Sequence, residues 1–261
     1  MVLKGQTAIV TGSTSGIGLG IADALARAGA TVVINGFGDP AQFEQLRARL
    51  EAESGSPIAY SAADMAQPEQ IRRMVAQAEA RFGAVDILVN NAGIQFVAPV
   101  DEFPDDKWQQ ILAINLSSNF HAIKAALPGM KRRSRGRIVN FASAHGLVAS
   151  PFKAAYVAAK HGVLGLTKTV ALEVAETNIT CNAICPGYVR TPLVEGQIID
   201  QAKAHGISEA QVVRDVILES QPNKRFVELK QLADLVLFLC SDSAESITGV
   251  ALPMDGGWTA R

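Results

Sequence analysis

The sequence predicts an α/β protein in which helices cover both faces of a doubly wound parallel sheet. Short runs rich in β-branched residues alternate with helical patterns along all 261 residues. The run Ile87-Leu88-Val89 is apolar without alternation, which is typical of a parallel strand buried on both faces. Strands that alternate with helices in this way are joined by right-handed crossovers, which build one seven-stranded parallel sheet in a single domain.

Seven strands are predicted from short apolar runs that turn residues or helices bound. They are residues 7–11, 31–35, 57–61, 85–90, 137–142, 179–184 and 250–254. Helices are predicted between them at 17–28, 41–53, 68–82, 106–131, 154–176 and 230–241. Gly29, Gly55 and Gly83 stand where the first three of these helices should end.

Residues 191–228 form an insertion that is longer than a plain crossover requires. It carries two short amphipathic patterns, at 193–205 and 209–220. An inert surface insertion would explain these patterns. Lids over substrates commonly arise from such insertions, so we expect a small helical lid.

Composition and charge exclude several classes of protein. A hydrophobic content of 48% with 19% charged residues supports a large core and excludes disordered and fibrous chains. The net charge of −1 gives no general attraction for nucleic acid or an anionic membrane, and no apolar run is long enough to span a bilayer. We therefore expect no nucleic-acid or membrane partner.

The three cysteines, Cys181, Cys185 and Cys240, indicate a reducing environment. They are odd in number, and no secretory signal opens the sequence, so we expect reduced thiols in the cytoplasm. The spacing of Cys181 and Cys185 matches no common zinc pattern. We expect three small core residues and no metal site.

A glycine-rich turn follows the first predicted strand and leads directly into a helix. Its glycines are Gly12, Gly16 and Gly18. They would allow a tight turn, an approach of backbone to a pyrophosphate, and close packing of helix on strand, while the helix N-terminus supplies N–H groups. An ordinary glycine-rich turn is the alternative, and the strand before and helix after favour phosphate binding.

Further motifs accompany this Gly-x-x-x-Gly-x-Gly spacing along nearly the whole chain. They are Asp64, Asn90-Asn91-Ala92-Gly93, Asn115, Ser143, Tyr156 with Lys160, and Pro186-Gly187. With them the sequence resembles the short-chain dehydrogenase/reductases, a family of Rossmann-type oxidoreductases that use nicotinamide cofactors.

The resemblance implies a set of cofactor-binding residues. Asp64 should bind the adenine amino group, residues 91–93 should line the adenosine, and Thr191 should reach the nicotinamide carboxamide. The full set is Gly12, Thr14, Ser15, Gly16, Ile17, Gly18, Phe37, Asp64, Met65, Asn91, Ala92, Gly93, Tyr156, Lys160, Pro186, Gly187, Val189 and Thr191.

The end of the second strand bears on the choice between NAD and NADP. The run Asn35-Gly36-Phe37-Gly38 lacks the acidic residue that usually binds the ribose hydroxyls of NAD. It also lacks the basic residue that would pair with the extra phosphate of NADP. We expect NAD, with backbone groups of Gly36 and Phe37 in place of the carboxylate; a simple surface role for Phe37 is the alternative.

Tyr156 and Lys160 are the predicted catalytic pair. Their spacing in a helical run puts both side chains on one face. A nearby ammonium contributes roughly 4 kcal/mol towards ionising a phenol whose pKa starts near ~10, and a positive nicotinamide ring would add to this. Tyr156 would then take the alcohol proton while a hydride leaves the carbon. Alone, such a pair would be read as a solvated helix pair.

Ser143 and Asn115 complete the predicted catalytic set. Ser143 ends the fifth strand, at the carboxyl edge where doubly wound folds bind ligands, and its hydroxyl should hold the substrate oxygen. By the resemblance, Asn115 should hold a water behind Lys160 in a proton path. A polar residue that kinks a helix is the alternative for Asn115.

Three polar residues should face the substrate. Gln95 follows the Asn-Asn-Ala-Gly-Ile run, and His145 and Lys153 flank the catalytic serine and tyrosine. An amide, an imidazole and an ammonium beside the reacting centre suit a small carboxylate. A solvated Lys153 and a structural His145 are the alternatives.

Several segments resemble one subfamily, the bacterial 3-hydroxybutyrate dehydrogenases. They are residues 11–20, 35–39, 142–150, 156–162 and 255–261. The resemblance implies NAD-dependent, reversible oxidation of (R)-3-hydroxybutyrate to acetoacetate. It also implies that Gln95, His145 and Lys153 bind the carboxylate, that Gln197 joins them from the lid, and that Trp258 closes the apolar side. Phe96 stands where a histidine is expected, so the chain-length preference could differ.

Two other functions stay open. An NADP-linked 3-oxoacyl carrier-protein reductase shares the fold and the tyrosine, but requires a basic residue for the phosphate. A non-catalytic dinucleotide sensor would tolerate loss of Tyr156 or Lys160, and both are present. The family resemblance further implies a homotetramer, with the helices that contain Asn115 and Tyr156 at one interface and the last strand and tail at another.

Overall fold

A parallel sheet of seven strands forms the centre of the part of the chain that the structure describes. This computed structural model describes residues 2–260, without the side chains of residues 192, 193, 197, 200, 201, 204 and 205. The strand order is β3-β2-β1-β4-β5-β6-β7, and every neighbouring pair is parallel. The strands are β1 Thr7–Val10, β2 Thr31–Asn35, β3 Ile58–Ser61, β4 Ile87–Asn90, β5 Gly136–Phe141, β6 Ile179–Pro186 and β7 Ala251–Met254. The predicted Rossmann-type fold is confirmed.

Helices join the strands and cover both faces of the sheet. They are α1 Gly16–Arg27, α2 Pro40–Ser54, α3 Pro68–Phe82, α4 Asp105–Leu112, α5 Ser118–Arg133, α6 Ala154–Glu173, α7 Pro192–His205, α8 Glu209–Gln211 and α9 Leu229–Cys240. Gly55 and Gly83 end α2 and α3 in the left-handed conformation, as predicted.

The core consists of two main apolar layers, one on each face of the sheet. One layer packs strand residues against α1 and α9, and the other packs them against α3, α5 and α6. The central strands β1, β4, β5 and β6 are buried along their whole length. Burial on both faces explains why β4 is apolar without alternation.

Two predicted helices are interrupted by wider turns. The predicted helix at 106–131 is α4, a π-helical turn over Ala113–Ser117, and α5. In the insertion, α8 continues into a second π-helical turn over Val212–Ile217. Single π-turns inside helices occur frequently at functional sites, and the first of these contains Asn115.

The three cysteines are buried, as predicted for core residues. Cys181, Cys185 and Cys240 are all buried and unpaired. Among residues 2–260, no helix combines the length and apolar character that a membrane span needs.

Candidate active site

The predicted site residues converge at the carboxyl edge of the sheet. The glycine turn follows β1, residues 91–93 follow β4, Ser143 follows β5, and Gly187 follows β6. Because the strands are parallel, these four segments meet at one edge, where doubly wound folds bind ligands.

Steric contacts explain the glycines of the turn after β1. Gly12 and Gly16 have positive φ angles of 61° and 55°. A Cβ at Gly12 would lie 2.8 Å from the Ala92 Cα, and a Cβ at Gly18 would overlap the Gly12 carbonyl and the Asn91 amide. The turn is therefore packed against the segment after β4, and larger residues would force the two apart.

The N-terminus of α1 suits a bound phosphate. Its N-cap, Ser15, has no side-chain hydrogen bond, so the first N–H groups of the helix are not capped by that side chain. A Cβ at Gly16 would meet only the Thr191 methyl group, at 3.9 Å, within a 4 Å radius. Free N–H groups in open space at a helix N-terminus favour an anion such as a pyrophosphate. The residues present therefore fit a dinucleotide.

Asn35 and Thr11 hold the glycine turn in place by hydrogen bonds, and neither role was predicted from the sequence. The Asn35 Oδ1 accepts from the Gly12 N–H at 3.2 Å, while its Nδ2 donates to the carbonyls of Ser61 and Ala63. The Thr11 hydroxyl oxygen accepts from the backbone N–H groups of residues 91 and 92. The sequence feature that could have indicated these roles is a polar residue at the end of an otherwise apolar strand.

The adenine end of the expected cofactor site is compact. The Asp64 Oδ1 accepts from the Ala66 N–H at 2.7 Å, and the Asp64 N–H donates to the Gln70 side chain. Met65 beside it is buried. The loop after β3 is thus fixed by local hydrogen bonds.

The end of β2 is packed closely. A Cβ at Gly36 would overlap the Thr14 side chain, and the Gly36 carbonyl accepts from the Tyr60 hydroxyl at 2.9 Å. A carbonyl oxygen can accept a second hydrogen bond, and the role of the Gly36 and Phe37 backbone groups in place of the carboxylate stays a prediction. The Phe37 side chain is 61% exposed and lies at the surface.

Tyr156, Lys160 and Ser143 are brought together as predicted. The Ser143 side chain acts on the Tyr156 phenol and lowers its pKa. The Lys160 Nζ lies 5.6 Å from the Tyr156 ring centre and donates to the Phe141 carbonyl at 2.6 Å. Both Ser143 and Lys160 are buried. Tyr156 and Lys160, as an acid–base pair, and the Ser143 hydroxyl thus share one site that is largely shielded from water.

The pKa of Tyr156 shifts in the direction opposite to the expectation. Burial raises the pKa of the Tyr156 phenol, and the hydrogen bond from Ser143 opposes that rise. Burial also lowers the pKa of the Lys160 ammonium to about 8. The prediction rested on the charges of Lys160 and the nicotinamide ring and left out the desolvation that both groups undergo.

Asn115 holds the backbone after β4. Its Oδ1 accepts from the Ile94 N–H at 2.8 Å, and its Nδ2 donates to the Ile94 carbonyl at 2.9 Å. Both polar groups of the side chain therefore bond to Ile94, and the water that the resemblance implies behind Lys160 stays a prediction. Asn119, one turn later, donates to the Asn115 carbonyl at 3.0 Å.

Aromatic rings form one side of the site. The ring of His145 lies edge-on to Tyr156 and Trp258, with centroids 5.9 Å and 5.0 Å away. The Trp258 indole stacks on the Tyr188 ring, and the Lys153 Nζ lies 6.0 Å from the Tyr188 ring centre. Tyr188 was missed, although it directly follows the Pro186-Gly187 motif.

The polar groups among these rings differ in charge. Burial lowers the pKa of His145 to about 4, with a smaller contribution from the Lys153 charge, so the imidazole is neutral near pH 7. Its Nε2 pairs with the Ser150 hydroxyl at 2.9 Å. Burial also lowers the pKa of Lys153. Lys153 therefore supplies the cation of this pocket, and His145 supplies a neutral hydrogen-bonding group.

The other predicted substrate residues are placed less closely. Gln95 is exposed in the segment after β4, and Phe96 packs edge-on against Phe103 at 5.6 Å. The side chain of Gln197 in α7 lies outside the described residues. Val189 bridges to Val227, which fixes the start of the insertion.

Within the described residues, no group of three or more histidine, cysteine or acidic side chains is placed to hold a metal ion.

Comparisons with known proteins agree with this geometry. Residues 12–259 match the family described as enoyl-(acyl carrier protein) reductase. The chain is 56% identical to D-beta-hydroxybutyrate dehydrogenase of Rhizobium meliloti, over 98% of this chain and 99% of that protein. It is 51% identical over the whole length to D-beta-hydroxybutyrate dehydrogenase of Cupriavidus necator. The fold matches a variant of actinorhodin polyketide ketoreductase with NADPH, at 35% identity, TM-score 0.90 and 98% coverage of both chains.

Proposed function

The chain belongs to the short-chain dehydrogenase/reductase family, and we propose that it interconverts (R)-3-hydroxybutyrate and acetoacetate with NAD as its cofactor. The observation that carries the proposal is the neutral His145 beside Ser143 and Tyr156, with the Lys153 ammonium over the Tyr188 ring of the same wall. A half-buried ammonium attracts a carboxylate, and the His145 ring centre lies 5.9 Å from that of Tyr156, which fits a small acid. The two whole-length relatives with at least half their residues identical support the same substrate.

In the proposed reaction, Tyr156 and Ser143 act on the alcohol group. Ser143 positions the substrate oxygen, and the Tyr156 phenolate accepts the hydroxyl proton. When bound, the nicotinamide supplies the hydride acceptor and a positive charge that opposes the burial-raised pKa of Tyr156. Lys160, with a pKa of about 8, is mostly an ammonium at neutral pH and stabilises the phenolate. In the reverse direction Tyr156 returns the proton to the ketone oxygen.

The choice of NAD is argued from the missing charges around Gly36. Neither the glycine turn nor residues 35–38 contain a lysine or arginine, so the extra phosphate of NADP would lack a charged partner there. Gly36 packs closely against the Thr14 side chain. NAD lacks that phosphate and needs no lysine or arginine there, so we propose NAD as the cofactor.

The insertion is proposed as a lid. The insertion starts with α7 at the Thr191 cap, next to the glycine turn. The other end of the insertion bonds to Tyr188 beside the aromatic rings. It therefore spans from the cofactor side to the substrate side. Gln197 would reach the carboxylate from α7 and Gln95 from the segment after β4.

A cytoplasmic homotetramer completes the proposal. Phe120 on α5 and Leu172 on α6 are 45% and 79% exposed, which suits helix faces covered by another copy. Strand β7 is a sheet edge that another copy could extend. The three buried thiols fit a reducing compartment. Sedimentation equilibrium tests the tetramer.

The substrate assignment is tested by following reduction of the nicotinamide with a panel of acids. The panel holds both enantiomers of 3-hydroxybutyrate, a 2-hydroxy acid, a 4-hydroxy acid and, in reverse, a 3-oxoacyl thioester, each with NAD and NADP. We expect (R)-3-hydroxybutyrate with NAD to give the highest kcat/KM. A preference for the (S) enantiomer, or for the thioester with NADP, would contradict the proposal and favour the carrier-protein reductase.

The role of Tyr156 is tested with Tyr156→Phe. This variant keeps the ring and removes the proton acceptor, so kcat should fall by about 10²–10⁴-fold while NAD binding persists. Arg49→Gln, on the exposed face of α2, is the control and should keep full activity. Unchanged turnover in Tyr156→Phe would rule out the mechanism, and a dinucleotide sensor predicts no turnover even in the unmodified chain.

A further inference from the structure

Gln221 is a buried amide outside the predicted site. It lies in residues 218–227, the last part of the insertion before α9, and this part is called here the return segment. Its side chain is 0% exposed. An amide that is buried without hydrogen bonds is costly, so both of its polar atoms require partners.

The two polar atoms of Gln221 bond to different segments. The Oε1 accepts from the Tyr188 N–H, and the Nε2 donates to the Arg225 carbonyl at 2.7 Å. The fit is close, because a Cβ at Gly187 would overlap the Gln221 Oε1. Gln221 thus links the return segment by a hydrogen bond to the residues that follow β6 and lead into the site.

Tyr188 is held at both of its backbone groups by the return segment. Its N–H donates to Gln221, and its carbonyl accepts from the Val227 N–H at 2.9 Å. The Tyr188 ring then stacks on Trp258 and lies beneath Lys153. A shift of the Tyr188 backbone would therefore move the ring that supports both of these side chains.

We propose that Gln221 is a positioning residue for substrate binding, which acts through the backbone of Tyr188 on Trp258 and Lys153. The inference rests on the proposed function, since it takes these two side chains to face the substrate. It predicts a larger effect on the KM for the hydroxy acid than on NAD binding, because the glycine turn lies at another part of the sheet edge and only Gly187 and Val189 of the expected cofactor residues adjoin Tyr188.

The chain contains a matched control for this proposal. Lys224 lies in the same segment, and its Nζ donates to the carbonyls of Leu218 and Glu219 at 2.8 Å and 2.9 Å. Both of these bonds lie within the return segment, and the Lys224 side chain does not bond to Tyr188. Lys224→Met therefore loosens the segment while it leaves the Gln221–Tyr188 bond in place.

The first measurement compares steady-state kinetics of Gln221→Leu and Lys224→Met. Gln221→Leu leaves the Tyr188 N–H without a partner, so the KM for the hydroxy acid should rise at least about tenfold and by a larger factor than the Kd for NAD. Lys224→Met should keep the KM of the unmodified chain. Equal KM values in all three proteins, or equal increases in both variants, would overturn the proposal.

The second measurement is a pH rescue in Gln221→Glu. A carboxylate accepts from the Tyr188 N–H but repels the Arg225 carbonyl, whereas a protonated carboxyl donates to that carbonyl as the amide does. Burial raises the pKa of such a carboxyl. The ratio of its KM to that of the unmodified chain should therefore fall towards one as the pH is lowered. A ratio that does not change with pH would overturn the proposal, and this variant carries the test if Gln221→Leu does not fold.

A fluorescence readout separates this inference from the substrate assignment. In a Trp108→Phe background, Trp258 is the remaining tryptophan of the two in the sequence. Acrylamide quenching should increase in Gln221→Leu and stay unchanged in Lys224→Met, whichever acid the enzyme oxidises. Increased quenching without activity on 3-hydroxybutyrate would contradict only the proposed function. Unchanged quenching would contradict the role of Gln221.

Discussion

The Trp258 indole lies parallel to the Tyr188 ring, with centroids 5.7 Å apart and planes 6° from parallel. Seventy residues separate the two in the sequence, one at the end of β6 and the other in the tail. The tail is fixed by Asp255, whose carboxylate accepts from the backbone N–H groups of Gly257 and Thr259. The pocket wall is therefore assembled from two segments that meet only in the folded chain.

This stack predicts different effects for two substitutions of Tyr188. Tyr188→Phe keeps the stacked ring, so the KM for the hydroxy acid should stay within about threefold. Tyr188→Ala removes an aromatic pair worth about 0.5–1.5 kcal/mol and leaves Lys153 unsupported, so KM should rise about tenfold. Steady-state kinetics with saturating NAD would measure both. Equal KM values for the two variants would show that the ring has no role in binding.

Local sequence patterns predicted most of the fold, because strand period, glycine positions and helix ends depend on neighbouring residues. The strands and the glycine turn were located in this way. The π-turn at Asn115, the Gln221–Tyr188 bond and the Tyr188–Trp258 stack were not, because each depends on contacts between distant segments. The pKa of Tyr156 was misjudged for the same reason, since desolvation depends on everything packed around the phenol.

Two glycines in α1 predict opposite effects of the same substitution. In Gly18→Ala the new Cβ overlaps the Gly12 carbonyl and the Asn91 amide, so unfolding free energy should fall by about 1–3 kcal/mol and NAD binding should weaken at least about tenfold. In Gly20→Ala the Cβ would lie 3.5 Å from the Leu229 Cβ, an ordinary contact, and stability should rise by about 0.5–1 kcal/mol.

Denaturant unfolding and NAD titration would measure these effects. The prediction fails if Gly20→Ala weakens NAD binding as much as Gly18→Ala does. It also fails if Gly18→Ala binds NAD with the affinity of the unmodified chain.

Phe37 is the position where a positive charge should change the cofactor preference. Its side chain is 61% exposed at the end of β2, so an arginine there would meet no steric barrier. In Phe37→Arg the kcat/KM for NADP should rise about tenfold, through a charge-assisted hydrogen bond to the extra phosphate. The unmodified chain should prefer NAD.

Phe37→Gln is the matched control, since it is polar without a charge and should leave the NADP rate low. High salt should reduce the gain in Phe37→Arg, because an exposed ion pair is screened. Equal gains in the arginine and glutamine variants would mean that charge is not the cause.

The buried, neutral His145 predicts a specific loss of stability in acid. Its pKa is lowered from the ordinary 6.5 to about 4 in the folded chain, chiefly by burial. The unfolded chain therefore binds the proton more readily, and His145 favours unfolding as the pH falls from 6.5 through about 4. The full effect below that window is on the order of 3 kcal/mol. The difference in unfolding free energy between the unmodified chain and His145→Asn should shrink by up to this amount across the window.

Taking this difference cancels the titration of carboxylates, which are common to both proteins. Because His145 stays neutral near pH 7, His145→Asn should lower kcat/KM without altering the shape of its pH profile between about pH 6 and 8. A stability difference that is the same at every pH would show that His145 is protonated as easily in the folded chain as in the unfolded one.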